Sequence, residues 1–381
     1  MKKYMLNIVL ALTLSGMVIS ANAALPAYTF TDLGTLGGIA SYANAINASG
    51  QVVGYSWTTG GEVHATLWNG SVATDLGASS GSNSTANDIN DLSQVVGSSN
   101  AFGPTLWNGT IATSLRKEGL NNLLEANFTN ATGINNAGQI VGSGSVFVPG
   151  NGYNTQYSWK EQALLLDGTT ITNLGTFGGL GSAATAINNS GQVAGIADIA
   201  VGDTRLSGGR AALWNGATIS HPGEDWFNYS SAFAINDAGQ VAGYSLFAGG
   251  GGRATVWSET STIQLSTLGG NQSVAFGINA LGQVVGSANT IDSNVLLATL
   301  WNETTAIDLN SFLDTSTASD WLLTEAKDIN GNGWIVGNAM NRVTGHSHAI
   351  LLTPVPEPEI YGMLLMGFCF VGFAARRKNN Q

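Results

Sequence analysis

The sequence predicts an all-β fold, a seven-bladed β-propeller built from four-stranded blades. Residues 46–54 read INASGQVVG, and similar stretches begin at Ile89, Ile134, Ile187, Ile235, Ile278 and Ile329. Successive copies lie 43, 45, 53, 48, 43 and 51 residues apart. A period of this size indicates one supersecondary unit per copy, and four short strands in each unit are typical of a propeller blade. The two ends of the array also complement each other, as a closed ring requires.

The first copy reads as four short strands, at 42–46, 51–56, 64–68 and 71–76. Between the first two strands, Asn47 and Gly50 occupy the outer positions of a type I turn, where the glycine takes a positive φ. Between the last two strands, Asn69-Gly70 predicts a type I′ hairpin turn. The long spacing before the fourth copy predicts a loop over residues 143–161.

Other repeat architectures fit less well. A parallel β-helix needs shorter and more uniform coils than these copies provide. A helical solenoid needs an apolar stripe of period 3.6, and no such stripe runs through the repeats.

The ends of the array predict how the ring closes. After its third strand, at 346–352, the seventh copy proceeds directly to Pro354 and lacks a fourth strand. Residues 28–34 read YTFTDLG and match the fourth-strand ends at 73–77 and 171–175. Because ring closure removes exposed strand edges, we predict that residues 28–33 complete the last blade.

Composition excludes some classes of function. Removing the five basic and two acidic residues of the chain ends from totals of 13 and 24 leaves 8 and 22, a formal charge of −14. A nucleic-acid partner needs a basic face, and none is visible. The single cysteine, Cys369, lies near the C-terminus, so no disulfide is expected within the repeats.

The N-terminus carries the pattern of a secretory signal peptide. Lys2 and Lys3 precede an apolar stretch at 8–19, and Ala21-Asn22-Ala23 follows. This pattern predicts cleavage by signal peptidase after Ala23, so that residues 1–23 do not belong to the fold. An uncleaved membrane anchor is the alternative.

The C-terminus, residues 354–381, carries the pattern of a second sorting signal. An apolar run at 360–375 predicts a short transmembrane helix, and the basic residues after it favour a cytoplasmic end. The tail resembles the PEP-CTERM sorting signal of Gram-negative bacteria, which implies recognition by an exosortase, an envelope or extracellular destination and an inner-membrane anchor before processing. The residues that carry the resemblance are Val355, Pro356, Glu357, Pro358, Arg376 and Arg377.

Residues 24–353 form the predicted propeller domain. Over roughly 30–353, its repeats resemble the HAF family of probable extracellular repeats, named for a stretch that appears here from His64 and from His348. The resemblance implies an extracellular location and does not identify a chemical activity.

Aromatic residues suggest both a core and a binding surface. One tryptophan occupies the same third-strand position in five copies, which predicts packing between blades, although a sugar-binding array is the alternative; these are Trp68, Trp107, Trp214, Trp257 and Trp301. The connections between second and third strands and between blades vary in length, and variable loops on a rigid scaffold commonly bind ligands. The candidate ligand-binding residues there are Tyr153, Tyr157, Trp159, Asp203, Arg205, Trp226 and Tyr229.

No catalytic residue, metal site or cofactor is predicted. His346 and His348 lack a recognisable third ligand. Residues 328–333 begin like a calcium loop, but Ala339 stands where such a loop needs a glutamate.

The leading interpretation is therefore a secreted or surface-sorted, non-enzymatic protein with a binding or scaffolding role in the extracellular matrix, with exopolysaccharide as a candidate partner. The alternative is a secreted propeller hydrolase or lyase acting on polysaccharide, which would need acidic residues at the mouth of the ring. A purely structural or ice-contacting surface would need a flat, regular threonine array, and none is visible in the sequence.

Overall fold

The computed structural model describes residues 27–77, 82–116, 126–148, 158–200, 208–223, 229–246, 251–259, 261–291 and 295–355. Residues Tyr28–Pro354 form one compact unit, and the remaining terminal segments lie almost wholly outside the described residues. Within the compact unit, the strands form seven antiparallel four-stranded sheets. The predicted seven-bladed propeller is confirmed.

The blades follow each other along the chain. The strands of blades 1 to 3 are β2 Gly37–Ile46, β3 Gln51–Thr58, β4 Val63–Asn69, β5 Val72–Asp75, β6 Ser84–Ile89, β7 Gln94–Ser99, β8 Gly103–Asn108, β9 Ile111–Ser114, β10 Asn127–Ile134, β11 Ile140–Val148, β12 Ser158–Asp167 and β13 Thr170–Asn173. The strands of blades 4 to 6 are β14 Gly178–Ile187, β15 Val193–Ile199, β16 Gly209–Asn215, β17 Thr218–Ser220, β18 Tyr229–Ile235, β19 Val241–Leu246, β20 Gly252–Ser258, β21 Ser261–Gln264, β22 Gly269–Ile278, β23 Val284–Thr290, β24 Leu296–Asn302 and β25 Thr305–Asp308. Blade 7 contains β26 Trp321–Ile329, β27 Ile335–Asn341, β28 Ser347–Pro354 and β1 Tyr28–Asp32.

The ring closes as predicted. Strand β1 pairs antiparallel with β28, from Tyr28 opposite Pro354 to Asp32 opposite Ile350. The first strand of each blade contacts the first strands of both neighbouring blades, including β2 with β26. The first strands therefore surround a central channel. Because neighbouring strands are antiparallel, all short turns lie at one end of this channel and all variable connections at the other.

The core lies between blades. The five repeat tryptophans are at most 1% exposed, which confirms that they are core residues. Trp68, for example, packs with Ala43 and Ile46 of its own blade and with Val336 and Leu351 of blade 7. Burying a large aromatic at each of these junctions stabilises the ring through the hydrophobic effect.

A β-bulge interrupts every first strand, and it explains a repeated glycine. In blade 1 the register shifts between Ala43 and Ala45, so that Asn44 is the bulged residue. A Cβ atom on Gly54, the last residue of the repeated stretch, would lie 1.9 Å from the carbonyl oxygen of Tyr42. The bulge therefore brings two backbones so close that the second strand needs glycine at this position.

Some local predictions were wrong. Residues 143–148 and 158–161, predicted as loop, extend β11 and β12. The turn after β4 is a two-residue loop in which Gly70 alone has a positive φ, of 59°, so the turn is not type I′. The connection from blade 6 to blade 7 contains a 3₁₀ helix at Leu309–Phe312 and a short helix, α1, at Thr315–Asp320.

Candidate functional site

A closed ring of seven asparagines surrounds the channel at the end where the short turns lie. Each is the residue after the first strand, and its Nδ2 atom donates to the main-chain carbonyl of the equivalent asparagine in the next blade, at 3.0–3.2 Å. The last of these bonds joins Asn330 of blade 7 to Asn47 of blade 1. All seven are 6% exposed or less; they are Asn47, Asn90, Asn135, Asn188, Asn236, Asn279 and Asn330.

The local sequence fixes each asparagine. The Oδ1 atom of Asn47 accepts the main-chain N–H of Gln51 at 2.9 Å, and Nδ2 donates to the Gln51 side chain at 2.8 Å. Gly50 closes the turn with a φ of 86°. The Asn-x-x-Gly-Gln pattern thus builds the turn and leaves one donor for the neighbouring blade. In blade 2, Ser93 takes the left-handed position, with a φ of 62°.

A cavity of about 350 Å³ lies at this end of the channel and is lined by residues of all seven blades. Its wall includes the bulged residue of every first strand. In blades 1 to 4 this residue is Asn44, Asn87, Thr132 or Thr185, and its side chain donates to a carbonyl of the next blade at 2.7–3.0 Å. These four side chains join blades and present little apolar surface to the cavity.

The wall of blades 5 to 7 is different. The bulged residues there are Phe233, Phe276 and Lys327. The two phenylalanine rings are 5.8 Å apart, and the Lys327 ammonium lies 4.4 Å from the centre of the Phe276 ring. Lys327 also contacts Glu325 at 2.9 Å. One side of a polar cavity is therefore aromatic, and Lys327, the one cation among the described lining residues, is already paired.

Two carboxylates follow the bulge, Asp88 in blade 2 and Asp328 in blade 7, where the other blades have alanine or glycine. Asp88 accepts the N–H groups of Ile89 and Ile134, each at 2.8 Å. Asp328 accepts those of Ile329 at 2.8 Å and Ile46 at 3.0 Å. Each carboxylate thus joins its own blade to the next one.

Their environment shifts both groups toward neutrality. Burial raises the pKa of Asp88 to about 7, partly opposed by the bond from Ile134 and reinforced by the charge of Asp328. Burial raises the pKa of Asp328 to about 6, opposed by the bonds from Ile46 and Ile329. Both residues line the cavity, but the surrounding protein removes most of the water that would stabilise their charges.

The histidines of the HAF-like stretch have a structural partner. Nδ1 of His64 lies 2.8 Å from a carboxylate oxygen of Asp75, and Nδ1 of His348 lies 3.0 Å from one of Asp32. Each pair joins the third and fourth strands of one blade. His346 is exposed, and the described part of the chain contains no group of three or more histidines, cysteines or acidic residues placed to hold a metal ion.

The residues predicted from the variable connections are only partly described. Tyr229 begins β18, is half-buried, and its ring lies 6.0 Å from that of Tyr244. Trp159 lies in β12 opposite Phe147. The others lie outside the described residues; they are Tyr153, Tyr157, Asp203, Arg205 and Trp226. Their role in binding stays a prediction.

Sequence reasoning missed the residues of the cavity wall. Aligned on the repeat, the wall positions stand two residues before the first isoleucine, and they vary: Asn44, Asn87, Thr132, Thr185, Phe233, Phe276 and Lys327. Variation at one position within an otherwise regular repeat was the available signal. The bulge that turns this residue into the channel cannot be read from an alternating strand pattern.

Comparison with known proteins identifies a sorting motif at the C-terminus. A family model, the PEP-CTERM protein-sorting motif, matches residues 354–378. The motif indicates an exported protein that is processed by an exosortase and sorted to the envelope of a Gram-negative bacterium. In the described residues, no helix is long and apolar enough to cross a membrane. The predicted span at 360–375, Pro356 to Pro358, Arg376, Arg377 and the cleavage site at Ala23 lie outside them; Val355 is exposed.

Among solved structures, the chain is similar to the crystal structure of TolB from Acinetobacter baumannii, with 11% sequence identity and a TM-score of 0.39. The match covers 85% of this chain and 65% of that one, so the chain spans just under two thirds of the length of that protein. Similarity at this level supports no statement about function. No curated protein matches the chain.

Proposed function

We propose that this surface-sorted propeller is a non-enzymatic binding protein of the extracellular matrix, and that a saccharide unit of an exopolysaccharide binds at the channel mouth. The observation that carries the proposal is the cavity of about 350 Å³ whose wall is polar in blades 1 to 4 and aromatic in blades 5 and 6. Its volume falls in the range of small-ligand pockets.

A sugar ring suits such a wall. It has an apolar face of C–H groups, which gains free energy when it leaves water for an aromatic surface, and a rim of hydroxyls that need hydrogen-bond partners. Phe233 and Phe276 supply the aromatic surface, while asparagine and aspartate side chains line the rest of the cavity. A closed ring of interblade bonds keeps these groups in place without a ligand, which lowers the entropic cost of binding.

Two further proposals concern location. The resemblance of the repeats to the HAF family supports an extracellular site of action. The apolar run at 360–375 would anchor the chain in the inner membrane until the exosortase acts on the tail.

The second candidate, a polysaccharide hydrolase or lyase, is favoured by one observation. Asp88 and Asp328 line the same cavity, and burial raises the pKa of both, as in many acid–base catalysts. However, both oxygens of each carboxylate accept main-chain N–H groups. Since this arrangement explains their presence by interblade bonding alone, we favour the binding protein.

The test is a glycan array with the purified full-length chain and three variants. We expect saturable binding that is lost in Phe233→Ala/Phe276→Ala and retained in Phe102→Ala, which removes a half-buried phenylalanine outside the cavity. A Tyr229→Ala/Trp159→Ala variant tests the variable face. Loss of binding only in that variant would place the site at the other end of the channel, and absence of binding by folded protein would refute the proposal.

The enzymatic alternative has its own readout. Release of reducing ends, or of unsaturated sugar ends, from any bound polysaccharide would identify a hydrolase or a lyase. If an Asp88→Asn/Asp328→Asn variant then lost turnover while it kept binding, the protein would be an enzyme rather than a binder.

A further inference from the structure

A second ladder of hydrogen bonds runs along the rim of the cavity, one residue beyond the asparagine ring. The main-chain N–H of Ala48 in blade 1 donates to the Asp91 side chain of blade 2 at 2.9 Å. The same bond recurs from Asp91 to Asn136 at 2.9 Å, from Asn136 to Asn189 at 3.0 Å and from Asn189 to Asp237 at 2.9 Å. At each step, a side-chain oxygen of one blade accepts the rim N–H of the blade before it.

The ladder stops after blade 5 because the next acceptors are missing. The rim position is Ala280 in blade 6, Gly331 in blade 7 and Ala48 in blade 1, and none of these has a side-chain oxygen. Consequently, no atom of the described residues accepts the N–H groups of Asp237, Ala280 and Gly331. Three neighbouring residues of the cavity lining therefore carry a main-chain N–H group that has no acceptor among the described residues.

The same three blades carry the unusual wall. Phe233, Phe276 and Lys327 each stand four residues before one of the three rim residues, and all six line the cavity. In blades 5 and 6, the rim donors and an aromatic surface therefore line the same cavity. In blades 1 to 4, by contrast, the rim donors and the wall side chains are occupied by protein partners.

The occupied half of the ladder shows what the open half fits. In two of its steps, the acceptor beside the rim N–H is the side-chain amide oxygen of Asn136 or Asn189. A ligand amide would place its carbonyl oxygen in the same way, and Phe233 and Phe276 in the same cavity offer apolar surface for an attached methyl group. A carboxylate also accepts N–H groups, but the cavity lining holds the exposed carboxylates of Asp91 and Asp237, and its Lys327 is already paired. Like charges would therefore disfavour an anionic ligand.

From these observations we propose that the channel mouth selects a neutral N-acylated amino sugar, whose acyl carbonyl accepts from the open rim donors of blades 5 to 7. This proposal rests on the proposed function and specifies its ligand class. It assigns a role to Asp237, Ala280 and Gly331 through their main-chain N–H groups, and it predicts weak binding of plain hexoses and of uronic acids.

The test supplies a side-chain acceptor to the unpaired rim N–H groups, one at a time. Gly331→Asn supplies an acceptor for the Ala280 N–H, as Asn136 does for Asp91, and a Cβ at Gly331 meets no atom within 4 Å. Gly331→Ala adds the same Cβ without an acceptor and is the matched control. Ala280→Asn supplies an acceptor for the Asp237 N–H in the same manner. Ala238→Asn, at an exposed position of a neighbouring turn, is its control.

Binding of N-acetylglucosamine, glucose and glucuronate to the full-length chain is measured by calorimetric or NMR titration. We expect N-acetylglucosamine to bind most tightly, and each asparagine variant to weaken it by about three- to ten-fold, the usual value of one hydrogen bond. Glucose binding and the two control variants should change by less than two-fold, on the order of a surface substitution.

Three results would overturn the proposal, and they differ from a failure of saccharide binding as such. Equal affinity for N-acetylglucosamine and glucose, a preference for glucuronate, or unchanged affinity in both asparagine variants would each exclude the acyl-binding role while binding that depends on Phe233 and Phe276 remained. Absence of any binding dependent on these phenylalanines would refute the proposed function itself.

Discussion

The asparagine ring makes a quantitative prediction for a single buried side chain. Asn279 is 4% exposed. Its Nδ2 atom donates to Asn330 O at 3.0 Å and to the Gln283 side chain at 2.8 Å, and its Oδ1 atom accepts the N–H groups of Leu281 at 3.1 Å and Gln283 at 3.0 Å. Asn279→Ala removes all four bonds, of which one joins blade 6 to blade 7 and three hold the turn of blade 6.

The expected loss follows from what remains unpaired. A typical bond contributes about 1 kcal/mol net, and a buried group left without a partner costs roughly 1–3 kcal/mol. The Leu281 N–H can turn to water because that residue is exposed, whereas the half-buried Gln283 N–H loses its acceptor. The Asn330 carbonyl, 6% exposed, keeps only its bond from the Gly333 N–H. We therefore expect Asn279→Ala to lower the free energy of unfolding by about 2–4 kcal/mol.

The assay is chemical denaturation followed by tryptophan fluorescence, with Leu281→Ala as the control. Leu281 is 74% exposed in the same turn, so its truncation should change stability by less than about 0.5 kcal/mol. Asn279→Asp keeps the acceptor for the turn N–H groups but loses both amide bonds, to the Asn330 carbonyl and to the Gln283 side chain, and should also be destabilising. If Asn279→Ala were no more destabilising than Leu281→Ala, the ring of asparagines would not hold the blades together.

Three other perturbations test separate parts of the structure. Gly286→Ala should destabilise the protein by more than about 3 kcal/mol in thermal or chemical unfolding, because its Cβ would lie 2.0 Å from the carbonyl oxygen of Val274. Gly331→Ala, whose Cβ has no atom within 4 Å, is the control. A similar small effect in both variants would refute the close approach. Trp257→Ala should cost about 3–5 kcal/mol, since the side chain is fully buried; a loss below 1 kcal/mol would contradict its place in the core. The folded-state pKa values of Asp88 and Asp328 lie near 7 and 6, above the unfolded value, so the native state binds more protons than the unfolded state between pH 4 and pH 7. The free energy of unfolding should therefore fall as pH rises through this window. For Asp88 the fall should reach up to about 4 kcal/mol, at 1.36 kcal/mol per pH unit. Asp88→Asn should flatten that profile, and an unchanged profile in the variant would assign the pH dependence to other groups.

The features of the structure that could be predicted from the sequence are those that recur in every copy of the repeat. The repeated stretch sets the turn, and its copy number sets the number of blades. The strand supplied by residues 28–32 follows from a missing partner in the last copy. The five repeat tryptophans follow from the rule that matching positions in matching blades have matching surroundings. These predictions succeeded because they depend on local hydrogen bonding and on burial, which act in the same way in every copy.

The role of residues that differ between copies of the repeat became visible only in the tertiary structure. Phe233, Phe276 and Lys327 share an alignment column with four polar residues, and in sequence they look like tolerated variation. Only closure of the ring brings blades 5, 6 and 7 side by side around one sector of the cavity. The bulge in each first strand then turns these side chains toward the channel, a change of direction that a period of two residues does not encode.

The sequence by itself determined the repeat, the closing strand, the buried tryptophans and the C-terminal sorting motif, because each depends on residues close together in the chain or equivalent between copies. The tertiary structure alone decided where the cavity lies, which N–H groups at its rim lack an acceptor among the described residues, and that two aspartates from blades 2 and 7 line one cavity. Those features arise between blades, where residues as far apart as Asn47 and Asn330 bond to each other. Such contacts exist only once the ring has closed.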